Sequence, residues 1–487
     1  MRFPAGSPGR TVASARILAT LLLSAASAVT LGAQTAASLS KGAREYVSVS
    51  DPVVVLTHVT VIDGTGAPPR ADQSIVIRDG RIAEVGGAGS VQPPAGARVM
   101  DLTGKTIIPG IVGMHDHLFY QAAGGREAGV GYTGPRLYLG SGVTTIRTTG
   151  TAAPYADLNT KHAVDGGMIP GPRIHITAPY ITGPAGGENM AVLSSPEQAR
   201  RFVAYWVSEG ATWIKAYADI RRAELGAAIQ EAHRLGIKVT GHLCSVSYRD
   251  AVDLGIDNLE HGFITSEDFD PQHTPDVCPA GSFFRVGVAN PTGDTARSVI
   301  KKMVDHKVPM TSTLAVLEPF FPNRPVTDTR TLETMAPEVR TAYLAMRAHI
   351  DSGGSWPFTS AMLKNAMAFE KAFFDAGGLL AAGVDPTGLG GALPGFGDQR
   401  NYELLTEAGL TPSQTVEVMT ANGAKILGVY DTLGSVERGK MADLVVLDGN
   451  LAADPATIHK VTIVFKDGVG YDSPKLIAAA KGRVGID

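Results

Sequence analysis

The sequence is poor in cysteine and has no excess of positive charge. Only 2 of its 487 residues are cysteines, too few for the disulfide framework of a small secreted domain. Its 43 basic and 47 acidic residues give a formal net charge of −4, and the basic residues form no block. This balance argues against nucleic acid and against an anionic membrane surface as partners. A small-molecule substrate is the remaining expectation.

The two cysteines, Cys244 and Cys278, leave two alternatives open, a single disulfide or two free thiols. Cys244 lies two residues after His242, which is a candidate metal ligand for the reasons given below. With so few cysteines in the chain, we expect the two thiols to be unpaired.

Long apolar runs are also absent after the first 28 residues. Arg2, Arg10 and Arg16 precede an apolar run over 17–28, which ends in small residues. The run is shorter than the ~20 residues that a membrane-spanning helix needs, and its order of charged, apolar and small residues is that of a secretory signal peptide. We predict that residues 1–34 are a signal peptide and that the protein is exported, periplasmic or secreted, without membrane contact after cleavage.

Short apolar strands alternate with helical segments over residues 108–429, the pattern of an α/β fold with parallel strands. The clearest helix covers 222–235 and is stopped by Gly236. Eight strands suit a (β/α)8 barrel of the TIM type. The candidate strands are 106–112, 143–147, 173–177, 213–217, 238–240, 258–259, 309–313 and 379–383.

Both ends of the chain have a residue pattern that differs from that of residues 108–429. Residues 35–107 and 430–487 contain β-branched runs that are separated by Asp-Gly and Gly-Gly turns. The two pieces are predicted to form one small β-sandwich domain, interrupted by the barrel. Within the barrel, the Pro- and Gly-rich stretch 318–358 is too long for an ordinary loop and is a candidate lid.

Two histidines, His115 and His117, follow the first barrel strand. Because side chains alternate along a strand, residues two apart point to the same side. Two neutral imidazoles that converge in this way are typical ligands of Zn²⁺ and related ions. The alternative is two ordinary polar residues at a strand end.

Polar residues also end later strands. Lys215 and Tyr217 share one face of the strand 213–217, His242 and His261 follow the next two strands, and Asp385 follows the last. The carboxyl ends of barrel strands meet at one face, so these side chains are expected to join the histidine pair. The alternatives are an ion pair for Lys215, barrel packing for Tyr217 and a helix N-cap for Asp385.

This set of residues resembles the amidohydrolase superfamily, in its imidazolonepropionase-like and Xaa-Pro or Xaa-Arg dipeptidase-like branch with a carboxylated lysine. Residues 142–147, 251–262 and 433–444 carry further motifs of the resemblance. It implies two divalent metal ions, with zinc expected. The implied ligands are His115, His117 and Asp385 on one ion, His242 and His261 on the other, and N6-carboxylated Lys215 between them.

The resemblance also implies a reaction. A metal-bridging hydroxide would attack the amide bond of a dipeptide or an N-acyl amino acid. Asp385 would take the proton and pass it to the leaving amine, and Tyr217 would donate to the oxyanion or to a substrate carboxylate. A homo-oligomer is expected.

Three alternatives to this function stay open. The same site suits a lactone or a toxin-like, ochratoxin-type amide. A mononuclear deaminase uses similar histidines and an aspartate but needs no bridging Lys215. A non-catalytic binding scaffold is the third, and it is disfavoured because all six ligands are retained.

Overall fold

The computed structural model describes residues 34–187, 189–324, 328–353 and 356–486. The predicted signal peptide therefore lies outside the described residues, except for its last residue, Gln34. No helix in these ranges has the length and hydropathy that crossing a bilayer requires.

The described chain contains 21 strands. They are β1 (Val47–Val49), β2 (Val53–Val61), β3 (Arg70–Arg78), β4 (Arg81–Gly87), β5 (Arg98–Asp101), β6 (Thr106–Pro109), β7 (Ile111–Asp116), β8 (Phe119–Gln121), β9 (Glu127–Gly129), β10 (Val143–Thr148), β11 (Arg173–His175), β12 (Thr177–Thr182), β13 (Ala191–Val192), β14 (Trp213–Ala216), β15 (Lys238–Gly241), β16 (Asn258–Glu260), β17 (Met310–Ser312), β18 (Leu380–Ala382), β19 (Leu444–Leu447), β20 (Val461–Lys466) and β21 (Val469–Asp472).

Sixteen α-helices lie in the same described ranges. They are α1 (Lys41–Arg44), α2 (Thr133–Gly140), α3 (Pro154–Asp165), α4 (Pro196–Ser208), α5 (Arg222–Arg234), α6 (Tyr248–Leu254), α7 (Phe283–Val286), α8 (Asp294–Asp305), α9 (Leu314–Leu317), α10 (Thr329–Thr334), α11 (Pro337–Asp351), α12 (Ser360–Asp375), α13 (Phe396–Glu407), α14 (Pro412–Glu417), α15 (Gly423–Leu427) and α16 (Ser473–Ala480). A π-helical turn, Val418–Asn422, joins α14 to α15.

A nine-stranded sheet combines strands from both ends of the described chain. Its order is β1-β21-β20-β19-β6-β2-β3-β4, with β5 beside β2. Val54, Leu56, Ile75 and Ile77 are buried on one apolar cluster with residues of β19 and β20. The residues between them, Val55 and Val76, are buried in a second apolar cluster with Val91, so that this part of β2 and β3 is covered on both faces. The predicted sandwich and its boundaries, 35–107 and 430–487, stay predictions.

Two parallel sheets carry the strands that were predicted for the barrel. One has the order β11-β10-β7, and the other has the order β13-β12-β14-β15-β16-β17-β18. Every pair in both sheets is parallel. Most of these strands are buried on both faces, as parallel strands between covering layers are. α5 connects β14 to β15 and ends before Gly236, as predicted.

The predicted strand 106–112 is in fact two strands in different sheets. β6 pairs with β19 in the nine-stranded sheet, whereas β7 pairs with β10. Gly110 separates them at a close approach, since a Cβ there would lie 2.1 Å from Thr144 Oγ1. Pro109, which has no N–H, ends the first strand.

The segment 318–358, predicted to be too long for an ordinary loop and a candidate lid, contains α10 and α11 in its described part. Its role as a lid stays a prediction. Asp328 caps α10, because its Oδ1 accepts a hydrogen bond from Thr331 N–H at 3.0 Å. Pro337 occupies the first turn of α11, where proline is tolerated. Local capping and first-turn residues therefore start two helices within a segment that is rich in proline and glycine.

Candidate metal centre

The six predicted ligands lie at the carboxyl ends of β7, β14, β15, β16 and β18. They line one cavity of about 250 Å³. The residues are His115, His117, Lys215, His242, His261 and Asp385. The structure thus brings these six residues, which are distant in the sequence, to one cavity, and their role as metal ligands stays a prediction.

His115, His117 and Asp385 form the tightest group of possible ligands. The distance from His117 Nε2 to Asp385 Oδ1 is 3.2 Å, and that from His115 Nε2 to Asp385 Oδ2 is 3.7 Å. One ligand atom from each of the three residues lies within 4.8 Å of the others. This spacing fits a single divalent ion between two imidazoles and a carboxylate.

The other ring nitrogen of each histidine is held by an acceptor. His115 Nδ1 lies 2.7 Å from Glu260 Oε2, and His117 Nδ1 lies 3.0 Å from Gly150 O. A carbonyl or an ionised carboxylate accepts a hydrogen bond from Nδ1–H, so that the proton stays on Nδ1 and the lone pair is on Nε2, towards Asp385. This is the tautomer that a metal ligand needs.

His242 and His261 lie against the first group. Ring centroids are 4.4 Å apart for His242 and His261, and 4.5 Å apart for His115 and His261. Burial, with the charge of Lys215, lowers the pKa of His242 to about 3. Burial also holds the pKa of His261 well below its usual range. Both rings are thus neutral at pH 7, the form that binds metal.

Lys215 is buried in β14, and its Nζ has no hydrogen-bond partner within the described chain. Burial lowers its pKa to about 8, so that a sizeable neutral fraction exists near pH 7. An orphaned amine among four histidines and Asp385 has a donor set that fits two divalent ions bridged by a carbamate on Nζ.

Two of the ligands have left-handed backbone conformations. The φ angles are 65° at His261 and 48° at Asp385, values that are uncommon outside glycine. Asp385 N–H donates to His115 O at 2.7 Å. Such conformations cost free energy and concentrate at functional sites.

Asp385 does not serve as a helix N-cap, because no helix begins within the ten residues that follow it. Its Oδ1 instead accepts a hydrogen bond from Thr387 Oγ1 at 2.9 Å. Burial raises its pKa, but His115 and His117 outweigh burial and hold the pKa below its usual value. The carboxylate is therefore ionised at neutral pH.

Tyr217 is partly buried, with its ring centroid 4.5 Å from that of His242. A second tyrosine, Tyr180, lies beside it at 5.4 Å between ring centroids. Burial raises the pKa of Tyr217 to about 12, so its hydroxyl stays protonated and can donate a hydrogen bond. The structure therefore places two phenols on the cavity wall, where sequence reasoning identified one.

A buried polar network beneath the histidines also escaped the sequence reasoning. Glu260 is fully buried, and its Oε1 accepts hydrogen bonds from Arg147, from Thr240 and, at 2.9 Å, from Asn258 Nδ2. The signal was present in the sequence, because Arg147 and Glu260 are charged residues inside apolar strands. A buried charge requires a partner.

The rest of the cavity wall is largely apolar. Phe119 stacks near His117 with ring centroids 4.5 Å apart. Ile264, Leu317 and Phe320 are further apolar parts of the wall. Phe320 belongs to the segment 318–358, which thus contributes to the cavity.

Cys244 and Cys278 form a disulfide, with 5.1 Å between their Cα atoms. The expectation of free thiols was wrong. Asp276 N–H donates to Ser245 O at 2.9 Å, and this bond brings the two loops together beside the end of β15.

Comparison with known proteins gives consistent results. Residues 106–470 match the profile of the Amidohydrolase family. A dihydroorotase from Pelotomaculum thermopropionicum is 25% identical over 418 residues, which cover 82% of this chain and 90% of that protein. An imidazolonepropionase from Geobacillus sp. is 22% identical over 420 residues, covering 77% and 83% of the two chains.

Two solved structures illustrate the likeness of fold. A Xaa-Pro dipeptidase with bound methionine has a TM-score of 0.64 at 19% identity, over 86% of this chain and 100% of that chain. The A. niger ochratoxinase has a TM-score of 0.61 at 18% identity, over 89% and 98%. These likenesses imply a TIM-barrel-type fold.

Proposed function

The chain belongs to the amidohydrolase family, and on that premise we propose that it is a two-metal hydrolase of dipeptides or N-acyl amino acids. It is a hydrolase of carbon–nitrogen bonds in small amide substrates, as its family and hydrolase relatives indicate. Its similarity to imidazolonepropionases agrees with the predicted branch. The convergence of six ligand-type side chains in one cavity is the observation that carries the proposal.

A closed eight-stranded barrel is the framework we propose for the site. Two hydrogen bonds support closure: Asp385 N–H donates to His115 O at 2.7 Å, and Thr177 N–H donates to Thr148 Oγ1 at 2.9 Å. The proposed barrel covers 108–429. A composite β-sandwich from 35–107 and 430–487 is supported by the sheet that both ends share.

The proposed metal ligands divide into two groups. His115, His117 and Asp385 would hold one ion, and His242 and His261 would hold the other, with carboxylated Lys215 between them. Bound zinc ions would supply an acidified water and a Lewis acid for the substrate carbonyl. The neutral histidines and the orphaned Lys215 Nζ support this assignment.

The chain's own residues would then move the protons. Asp385 accepts a proton from the attacking water and delivers it to the leaving amine, because its carboxylate faces both His115 and His117 within 4 Å. Tyr217, protonated at neutral pH, donates a hydrogen bond to the developing oxyanion or to a substrate carboxylate. The apolar wall excludes water from the reacting groups.

A non-peptide amide or a lactone is the second candidate substrate class. The apolar wall of Phe119, Ile264 and Phe320 favours it, and the ochratoxinase shares the fold. A mononuclear deaminase would leave the buried Lys215 without a role. A non-catalytic scaffold would have no need for all six ligand-type residues.

Export is also proposed, with residues 1–34 as the signal peptide. The Cys244–Cys278 disulfide supports an oxidising compartment. A homo-oligomer stays a prediction.

The test is a screen of dipeptides, N-acyl amino acids, lactones and amino-heterocycles with zinc-loaded protein. We expect release of free amino acids from dipeptides or N-acyl amino acids. If instead only amino-heterocycles react, with release of ammonia, the deaminase is correct and the proposal is wrong.

The Lys215→Ala variant distinguishes a site that binds one metal ion from a site that binds two. We expect its metal content to fall from two ions per chain to one or none, with loss of hydrolysis. One ion in both the wild type and the variant would support the mononuclear alternative.

A further inference from the structure

Glu127 brings a carboxylate to the wall of the metal-centre cavity. It lies in β9, directly opposite Gln121 of β8 in an antiparallel pair. The side chain is exposed, and no cation of the described chain forms an ion pair with it. A negative charge therefore faces the space in which the substrate binds.

The hairpin of β8 and β9 is fixed to the loop that carries Asp385. Gln121 N–H donates to Pro386 O at 3.0 Å, and Gly388 N–H donates to Gln121 Oε1 at 3.3 Å. Glu127 thus belongs to a framework that is continuous with the Asp385 loop. These bonds, with the pairing of Gln121 and Glu127, position the backbone of Glu127 relative to the Asp385 loop.

Glu127 shares its cavity with the aromatic side chains that surround the histidines. Tyr180 and Tyr217 line the same cavity. The ring centroid of Tyr217 is 4.5 Å from that of His242, and the ring centroid of Tyr180 is 6.3 Å from that of His117. The carboxylate of Glu127 and the proposed metal ligands therefore line one continuous space.

On the described cavity wall, no free lysine or arginine is available to form an ion pair with this carboxylate. Lys215 is the one lysine or arginine there, and it is a proposed metal ligand. Phe119, Ile264 and Leu317 make neighbouring parts of the wall apolar. A ligand that fits has an apolar body and a positively charged nitrogen, because a carboxylate without a counter-charge attracts a cation.

We propose that Glu127 is an ammonium subsite and that the substrates are dipeptides with a free amino terminus rather than N-acyl amino acids. The inference rests on the proposed amide hydrolysis. The cavity of about 250 Å³ accommodates a small compound rather than a long peptide. An N-acyl amino acid has no ammonium group to pair with Glu127.

Three substrates with the same leaving group test the subsite. Leucyl-leucine carries an α-ammonium, and 4-methylpentanoyl-leucine is the same skeleton without it. 6-Aminohexanoyl-leucine carries its ammonium at the end of the acyl chain. For zinc-loaded wild-type protein we expect kcat/KM for leucyl-leucine to exceed that for the uncharged analogue by about tenfold. A preference for 6-aminohexanoyl-leucine over leucyl-leucine would overturn the α-ammonium assignment.

Variants test whether Glu127 is responsible for the preference for leucyl-leucine. Glu127→Gln is expected to reduce the preference for leucyl-leucine to near unity, while kcat/KM for 4-methylpentanoyl-leucine changes less than about threefold. Glu338→Gln, which removes an exposed carboxylate from α11, is the matched control and should retain the wild-type preference. Rising salt should weaken the preference in wild-type protein, since the carboxylate is exposed. This salt series needs no variant.

The outcomes separate the subsite from the proposed function. Hydrolysis of leucyl-leucine and its uncharged analogue at equal rates by wild-type protein overturns the subsite and leaves amide hydrolysis intact. A preference that persists in Glu127→Gln also overturns it. No hydrolysis of any of the three substrates counts against the proposed function itself.

Discussion

Glu260 is the residue on which the orientation of His115 depends. Its Oε2 lies 2.7 Å from His115 Nδ1, while Oε1 is bound by Arg147. Arg147 is fully buried, with its guanidinium 4.5 Å from the centroid of the Trp213 ring. A carboxylate in this position fixes the tautomer of a ligating histidine and increases its basicity.

We expect Glu260→Gln to weaken zinc binding by about 10- to 100-fold. The neutral amide accepts a weaker hydrogen bond from His115 and leaves Arg147 without a counter-charge. Zinc affinity is measured by competition with a chromogenic chelator. Glu224→Gln, which alters a buried carboxylate in α5, serves as the control. Equal affinity in Glu260→Gln and wild type would contradict this role.

Glu370 in α12 is a buried carboxyl group, and its Oε2 has no hydrogen-bond partner in the described chain. Burial raises its pKa from 4.5 to about 8. Between these two values the folded state holds a proton that the unfolded state has released. The free energy of unfolding is therefore expected to fall as the pH rises from about 4.5 to about 8.

Glu370→Gln removes this titration. Urea unfolding at pH 5, 6, 7 and 8 should show a smaller loss of stability with rising pH in the variant than in wild type. Glu338→Gln, with its carboxylate at the surface, should retain the wild-type slope. The same slope in all three proteins would show that Glu370 is already ionised in the folded state.

At the scale of elements, the Cys244–Cys278 disulfide ties the end of β15 to a distant loop. His242 lies two residues before Cys244, so the bridge restrains a chain segment that carries a proposed ligand. The two cysteines are 34 residues apart. Closing a loop of that length in the unfolded chain stabilises the folded state by about 4 kcal/mol in the chain-entropy model.

We expect Cys278→Ser to lower the free energy of unfolding by up to about 4 kcal/mol, measured by urea unfolding at constant pH. Addition of a thiol reductant should lower the stability of wild-type protein and leave the variant unchanged. A variant as stable as the oxidised wild type would indicate that the bridge has no role in stability.

The elements also show how far the sequence could be interpreted. The apolar runs located strands of both parallel sheets, because parallel strands that are buried on both faces are continuous in hydrophobicity. The break at Gly110 was missed, since it depends on the close approach of Thr144 from another strand. α10 and α11 were missed because the proline and glycine content of 318–358 was weighed above the N-cap Asp328 and the first-turn proline Pro337.

Some residues of the proposed site could be predicted from the sequence and others could not. The six proposed ligands could be identified in the sequence because each one lies in the last residues of a strand or shortly after it, and strand ends meet at one face of the fold. Glu260 and Arg147 could be recognised in the sequence only as charged residues in apolar strands. The sequence did not show that they pair with each other. Glu127 carried no signal at all, because its place on the cavity wall depends on the pairing of β8 with β9.

At the scale of the whole molecule, the proposed export would place the Cys244–Cys278 disulfide in an oxidising compartment. We expect protein expressed in a two-membrane bacterium to be recovered from the periplasm or the medium, with a mature amino terminus near residue 35. N-terminal sequencing and cell fractionation measure this. Cytoplasmic protein that retains Met1 would contradict the proposed signal peptide.

The central claim is that six side chains, brought from five strand ends, hold two metal ions for amide hydrolysis. The most direct measurement is the zinc content per chain, determined by elemental analysis together with dipeptide hydrolysis, before and after exhaustive chelation. We expect two zinc ions per chain, loss of both ions and of activity on chelation, and recovery of both when zinc is restored. Full hydrolysis by the metal-free protein, or one ion per chain at saturating zinc, would contradict the claim.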